Sequence, residues 1–362
     1  MIHSVHVLGS RELGGADRFF IRLVEALTRA GHATLAVTRA GSPVATELDP
    51  AVAQAHVPLA SKWDWYSRWR LTRLLARRDP DVVQTYMGRA TRLTRLPRGS
   101  RAVHVARLGG YYRIAGYYEH AHAWVGNTRG ICDYLRSSGL PAERVFHIGN
   151  FVPEPRAVGD GELEALLAEL ALPADAFVVF ALGRLIAKKG FDDLLRAFAM
   201  LPAQAEGRRL LLVVAGDGPQ SRELQALAAE LRIDARVRWA GWRNDPDPLY
   251  ALADVFVCPS RHEPLGNVIL EAWQHRLPVL TTRNEGAREL VDERRNALFA
   301  DVASPEDLAR GLREMLAMTP EARTALGVAG RDTVQREHGE SAVLAAYLDL
   351  YERLVRERHG GR

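Results

Sequence analysis

Arg184, Lys188 and Lys189 lie in a glycine-flanked segment, residues 183–190, of a chain that holds only three lysines among its 48 Lys and Arg. Cations gathered in such a loop neutralise a polyanion such as a diphosphate. The plainer alternative is a solvated loop, and the scarcity of lysine elsewhere favours the first reading. Downstream, Glu263 and Glu271 flank the start of a helical pattern that begins near Val268. A helix N-terminus presents backbone N–H groups to an anion, and carboxylates beside it accept hydrogen bonds from sugar hydroxyls, so the combination suits a sugar joined to phosphate. Taken singly, Glu263 is a first-turn carboxylate favoured by the helix dipole and Glu271 a solvated helix residue.

Alternating strand and helix patterns must position these groups. Residues 3–8 are strand-like, residues 9–15 carry glycines, and Phe19, Phe20, Leu23, Val24 and Leu27 recur at helical spacing up to Gly31. Further buried strands are expected at 34–37, 81–85, 102–106 and 123–125. The two prolines of Phe151-Val152-Pro153-Glu154-Pro155 mark a linker. Beyond it, strands are expected at 177–182, 210–215, 237–240, 255–258 and 279–281, with a helical pattern from Pro305 onward. Strands alternating with helices make a parallel sheet covered on both faces, so the fold class is α/β, two doubly wound units in tandem. Ligands of such sheets sit outside the carboxyl ends of the strands, where segments 183–190, 216–219 and 259–266 fall.

The stretch Cys258-Pro259-Ser260-Arg261-His262-Glu263, with Glu271-Ala272 and Leu277-Pro278-Val279 after it, resembles the E-x7-E signature of the retaining glycosyltransferases of family 4. Gly183-Arg184-Leu185 with Lys189-Gly190, Gly216-Asp217-Gly218-Pro219, Gly286-Ala287-Arg288-Glu289-Leu290-Val291 and, near the start, Gly14-Gly15-Ala16-Asp17-Arg18 are similar to further motifs of that family. The resemblance spans nearly the whole chain and implies the GT-B fold, two Rossmann-like domains facing a central cleft. It implies an acceptor domain over 1–152, a nucleotide-sugar domain over 153–335, and a terminal helix, 336–362, that crosses back to the first domain.

By the same resemblance, Arg184 and Lys189 neutralise the donor diphosphate, Glu263 lies near the transferred sugar and Glu271 accepts from the ribose hydroxyls. The backbone N–H groups of Gly266, Asn267 and Val268 match those that hold sugar and phosphate, Gly14 and Gly15 match a loop that closes over the donor, and Trp242 falls where the base is contacted through backbone. The implied reaction moves a hexosyl unit from a UDP- or GDP-linked sugar to a hydroxyl of a glycan or lipid-linked acceptor of cell-surface polysaccharide or lipopolysaccharide, with no cofactor and no metal. Two departures stand out. Pro264 replaces a frequent glycine and removes a backbone donor. The family's acceptor-side histidine has no clear match, so His104, Arg107, Tyr111 and Tyr112 become the acceptor-side candidates, with a core position the alternative for His104.

Asp245-Pro246-Asp247 and Asp79-Pro80-Asp81 have the D-x-D form that binds divalent metal in other glycosyltransferases, but one precedes a helix and the other a strand, so structural use is expected. Cys132 and Cys258 are isolated and expected in the core. The net charge of +4 is uneven, +10 over residues 1–150 and −6 over the remainder. Residues 62–78 interleave Trp63, Trp65, Tyr66 and Trp69 with arginines, a mixture suited to the headgroup region of an anionic membrane, or else to a packing helix with its arginines in water. No nucleic-acid recognition motif accompanies the charge. With no apolar run near the ~18 residues of a membrane span and no basic-then-apolar start, a cytoplasmic protein, peripheral on the inner face of the membrane, is expected. Competing readings are an epimerase of the same fold or an inverting transferase, a dinucleotide oxidoreductase, for which Gly216-x-Gly218 lacks the third glycine, and a noncatalytic glycan- or membrane-binding scaffold.

Overall fold

The structure, a computed structural model, describes residues 1–360. The chain divides into two compact units, Met1–Phe151 with the segment from Gly339 onward, and Val152–His338.

In the first unit, β1 (His3–Leu8), α1 (Gly15–Arg29), β2 (Ala33–Thr38), α2 (Pro43–Glu47), β3 (Ala53–His56), α3 (Trp65–Arg78), β4 (Val82–Tyr86), α4 (Met87–Leu93), β5 (Val103–Leu108), β6 (Ala123–Gly126), α5 (Arg129–Ser137) and β7 (Val145–His147) follow one another. The strands form a parallel sheet in the order β3-β2-β1-β4-β5-β6-β7. Both faces of β1 are covered: Val5 and Val7 pack with Leu71 and Leu75 of α3, Leu8 packs with Phe19, Phe20 and Leu23 of α1, and the polar Ser4 and His6 are buried between them. Strands β3 (AQAH) and β7 (VFH) escape the apolar-run criterion because they are short edge strands with exposed positions.

In the second unit, α6 (Asp160–Glu169), β8 (Phe177–Leu182), α7 (Phe191–Ala199), β9 (Gln204–Ala205), β10 (Arg208–Ala215), α8 (Ser221–Glu230), β11 (Val237–Gly241), α9 (Asp247–Leu252), β12 (Val255–Cys258), α10 (Asn267–Gln274), β13 (Val279–Thr282), α11 (Glu285–Leu290), β14 (Leu298–Ala300), α12 (Pro305–Ala317) and α13 (Pro320–Glu337) build a second sheet. Its parallel order is β11-β10-β8-β12-β13-β14, with β9 pairing antiparallel to β10. Phe177 and Val179 face one apolar layer, and Val178 and Phe180 the other, as alternation along a central strand requires.

The last helix, α14 (Glu340–Gly360), belongs to the first unit, where Val343, Tyr347, Leu350, Tyr351 and Leu354 join the layer built on α1. Tyr351 donates to Gln84 Oε1 at 2.7 Å, fixing the helix against β4. Cys132 and Cys258 are both buried, and neither is in a disulfide among the described residues.

The first unit also buries histidines. His6 bonds Tyr86 Oη at 2.9 Å and Ser4 Oγ at 3.1 Å, and burial holds its pKa down at about 3. Burial, with Arg95 beside it, brings His120 down to about 4, and burial pushes His104 well below the usual range. These rings stay neutral in the fold, whereas the unfolded chain takes up their protons near pH 6.5. Their stabilisation is therefore complete above that pH and is lost as pH falls toward the folded values. Thermal unfolding followed in steps should show the melting temperature dropping by several degrees between pH 6.5 and 5, before carboxylates titrate, and a flat profile over that window would refute it.

Candidate active site

The carboxyl ends of β8, β10, β12 and β13 deliver four loops of the second unit to one place, and backbone contacts lock them together. Leu185 N–H donates to Asp217 O at 2.9 Å and Gln220 N–H returns to Leu185 O at 3.1 Å, joining the loops after β8 and β10. Glycine is required at two of the crossings. Gly190 has φ +65° and a Cβ there would lie 2.2 Å from Pro259 O, while Gly216 has φ +129° and a Cβ would lie 1.9 Å from Gly183 O.

Within this frame Lys189, at the end of a short 3-10 turn (Ala187–Lys189), reaches the Glu263 carboxylate in a direct ion pair, both side chains being largely buried. Burial works against the Lys189 charge, but the Glu263 carboxylate outweighs it and the pKa stands above the ordinary lysine value. Ser260 Oγ adds a contact to Glu263 at 3.5 Å. Gly266, with φ +89°, caps the N-terminus of α10, and a Cβ on it would lie 3.6 Å from Glu263 Cγ, so the helix end and the carboxylate are adjacent. Asn267 and Val268 form the first turn of this helix. Glu271 follows on the same helix and accepts from Tyr250 Oη at 3.3 Å.

Arg184 is exposed in the loop that carries Lys189. Trp242 is exposed just past β11, its Nε1 donating to Asn244 at 3.0 Å. Pro264 lies beside Glu263.

Sequence reasoning passed over Arg261 and Glu285. The Arg261 guanidinium donates to Asp193 at 2.8 Å and to Asp192 at 2.7 Å, and its N–H donates to Lys188 O at 2.8 Å, so it clamps the lysine loop to the glutamate loop. Glu285 holds His262 Nδ1 at 2.9 Å, and the next residue, Gly286, donates its N–H to Glu263 O at 2.8 Å. Partners 68 and 23 positions away leave no local signal in a sequence.

Four candidates lie in the first unit with Gly14 and Gly15, which are exposed at the start of α1. Two of them need correction. His104 is a core residue whose Nε2 bonds Thr85 Oγ1 at 3.0 Å. Arg107 is turned inward: Nε donates to Tyr347 Oη at 3.1 Å, another nitrogen donates to Asn150, and the guanidinium carbon lies 3.8 Å from the Phe19 ring centroid. Tyr111 is exposed, and its ring lies 5.5 Å from that of Tyr134. Tyr112 is partly buried and its carbonyl accepts from Tyr134 Oη at 2.8 Å.

Both D-x-D segments have structural partners. Asp247 accepts from Arg156 N–H at 2.9 Å and pairs with His275 at 3.1 Å, Arg156 also binds Asp245, and Asp81 accepts from His3 N–H at 2.8 Å.

Residues 164–333 match the family model described as Glycosyl transferases group 1, and residues 13–156 that of Glycosyltransferase Family 4. The chain is 34% identical over 339 residues to the lipopolysaccharide core biosynthesis glycosyltransferase LpsE of Rhizobium meliloti, spanning 93% of this chain and 95% of that one. It is 33% identical over 350 residues to LpsD, a lipopolysaccharide core biosynthesis glycosyltransferase of the same organism, spanning 95% and 97%. Among solved structures, Anabaena HepE in complex with UDP and glucose superposes with a TM-score of 0.82 at 17% identity, over 98% of this chain and 100% of that one. The fold is GT-B.

Proposed function

We propose that this chain, which belongs to the family 4 glycosyltransferases (glycosyl transferases group 1) and is a glycosyltransferase, moves a hexosyl unit from a UDP- or GDP-linked sugar, with retention, to a hydroxyl of a lipopolysaccharide-core type glycan. The second unit is the donor domain and the first the acceptor domain. The observation that carries this is the Lys189–Glu263 pair against the N-terminus of α10.

As the glycosidic bond lengthens, negative charge grows on the β-phosphate and positive charge on the sugar. Lys189, Arg184 and the first-turn amides of α10 are fixed positive groups for that phosphate and need no reorganisation as charge develops. Glu263 keeps Lys189 charged and aimed, and offers its second oxygen to a sugar hydroxyl. Glu271, a turn further along α10, takes the ribose hydroxyls. With Glu263 engaged by Lys189, the base nearest the reacting carbon is the departing phosphate, which takes the acceptor proton on the face it leaves; the acceptor then enters on that face. The backbone at Trp242 meets the base, and Tyr111 and Tyr112 serve the acceptor side.

UDP is the first choice of nucleotide because HepE, of the same fold, is described with UDP and glucose; the glycan class follows LpsE and LpsD, similar over nearly their full lengths. Thermal unfolding with UDP-, GDP- and ADP-sugars should show a rise for one of the first two, and NMR of the product should show the donor's anomeric configuration preserved. An inverted product, or no response to any nucleotide sugar, refutes the proposal.

The acceptor's lipid environment gives α3 a task. Leu71 and Leu75 of this helix are buried, yet Trp63, Trp65, Tyr66 and Trp69 are 69%, 78%, 44% and 49% exposed, beside exposed Arg68, Arg70 and Arg73. Arg73 lies over the Trp69 ring at 4.9 Å and Arg92 over the Trp63 ring at 4.0 Å. Among the described residues no helix is long and apolar enough to cross a membrane, so this face supports peripheral contact. Flotation should show binding to vesicles rich in phosphatidylglycerol that salt weakens and Trp65→Ser with Trp69→Ser reduces by about tenfold or more. Binding indifferent to lipid charge and to these substitutions would exclude it.

A further inference from the structure

The carboxyl edge of the first sheet holds a second cationic centre. In the strand order β2-β1-β4, the chain leaves β1 toward β2 on one side and returns as β4 on the other, which makes the β1/β4 edge the switch point where doubly wound sheets take ligands. Three arginines follow these three strands: Arg11 after β1, Arg39 after β2, and Arg89 in α4 after β4. All converge on two consecutive carbonyls. Arg39 Nη1 donates to Leu59 O at 2.8 Å, Arg89 Nη1 to Leu59 O and Gly9 O at 3.2 Å each, and Arg11 Nη2 to Ala60 O at 3.2 Å.

These bonds occupy one terminal nitrogen of each guanidinium, which carries five N–H donors in all. Among the described residues none of the three forms an ion pair with a carboxylate. The nearby acid, Asp64, is already committed to Ser67 N–H, Ser67 Oγ and Ala60 N–H. Burial lowers the pKa of Arg39, Arg11 and Arg89 lower it further, and the Asp64 carboxylate offsets only part of this, so the three cations repel one another.

Two residues of this arrangement have left-handed backbone conformations. Leu59, whose carbonyl takes two of the bonds, has φ +46°, and Met87, the residue that turns β4 into the helix of Arg89, has φ +65°. Neither is glycine, and such conformations cost about 1 kcal/mol or more each and gather at functional sites. Three guanidinium groups beside Asp64, whose carboxylate is shared with Ser67 and Ala60, leave positive charge that fits a further anion supplied by a ligand.

We propose that Arg11, Arg39 and Arg89 receive a phosphate group carried by the acceptor glycan, and so select a phosphorylated acceptor. The inference rests on the acceptor role given above to the first unit. A tetrahedral dianion takes two N–H donors from each of several guanidinium groups, which a neutral hydroxyl cannot reproduce.

The test uses the full chain and a deacylated, phosphorylated lipopolysaccharide core oligosaccharide, alongside the same material dephosphorylated with hydrofluoric acid, which retains its sugar carboxylates. Calorimetry should show the phosphorylated oligosaccharide binding wild type at least tenfold more tightly than the dephosphorylated one. Arg11→Gln and Arg39→Gln should each abolish most of that preference, Arg39→Lys should restore part of it, and the melting-temperature rise given by UDP should be the same in all four proteins. Equal binding of the two oligosaccharides to wild type, whether through carboxylates or not at all, overturns the proposal. So does a preference that survives in both glutamine variants. Loss of the UDP response in Arg11→Gln would reassign the cluster to the donor and overturn it too. The transferase assignment stands or falls separately, on the UDP response and donor-sugar hydrolysis of the wild-type chain.

Discussion

Replacing Lys189 by alanine is expected to lower turnover at saturating donor by about 10²-fold or more, the size of effect seen when one preorganised charge stabiliser is removed. Two losses combine. The departing phosphate loses a cation that is fixed before reaction begins, and Glu263, largely buried, is left without its partner. The second loss alone could disturb the site, so the pair must be separated by a double-mutant cycle with Glu263→Gln. If Lys189 acts only by neutralising Glu263, the double variant recovers most of the activity that Lys189→Ala lost. If Lys189 acts on the phosphate, the double variant stays at least as slow as the single one. Arg184→Ala, at an exposed position of the same loop, is expected to slow turnover in the same direction, with less disturbance of folding. Near-normal rates for both single variants at saturating donor would remove these cations from catalysis.

Much of this site was legible because its residues announce themselves by type and by place in an element. Strands buried on both faces, such as β8 and β10, are continuous apolar runs, and the loops at their carboxyl ends could be read directly. Two adjacent lysines in a chain of arginines pointed to one loop, and Glu263 with Glu271 to another. What could not be read was which side chains hold these loops to each other. Arg261 meets Asp192 and Asp193 across 69 and 68 positions, and the cluster on Leu59 joins segments up to 80 positions apart. Such pairings follow from strand order, which local patterns do not encode. The edge strands failed for a different reason: the alanine, glutamine and histidine of β3 bury too little to leave an apolar signature.

Arg107 shows how position alone misleads, and it carries the other large expectation. A cation near the carboxyl end of a central strand looks like a ligand contact. Yet Val103 and Val105 face the layer beneath α1 and α14, and strict alternation along β5 puts Arg107 on that same face. The cover comes from Tyr347, 240 positions later, so the burial was invisible locally. With 2% exposure, Arg107 is held by the dipoles of Tyr347 and Asn150 and by the face of Phe19. Arg107→Ala should therefore destabilise by about 3 kcal/mol, since it opens a cavity and removes the hydrogen bonds to Tyr347 and Asn150. That corresponds to a melting temperature roughly 6–12 °C lower for a unit of this size. Arg107→Met, which fills the space without a charge to desolvate, should cost less than the alanine, because removing a buried cation offsets part of the lost hydrogen bonding. Well below the melting temperature both variants should retain the wild-type acceptor KM. A raised acceptor KM with unchanged melting would return Arg107 to the acceptor surface.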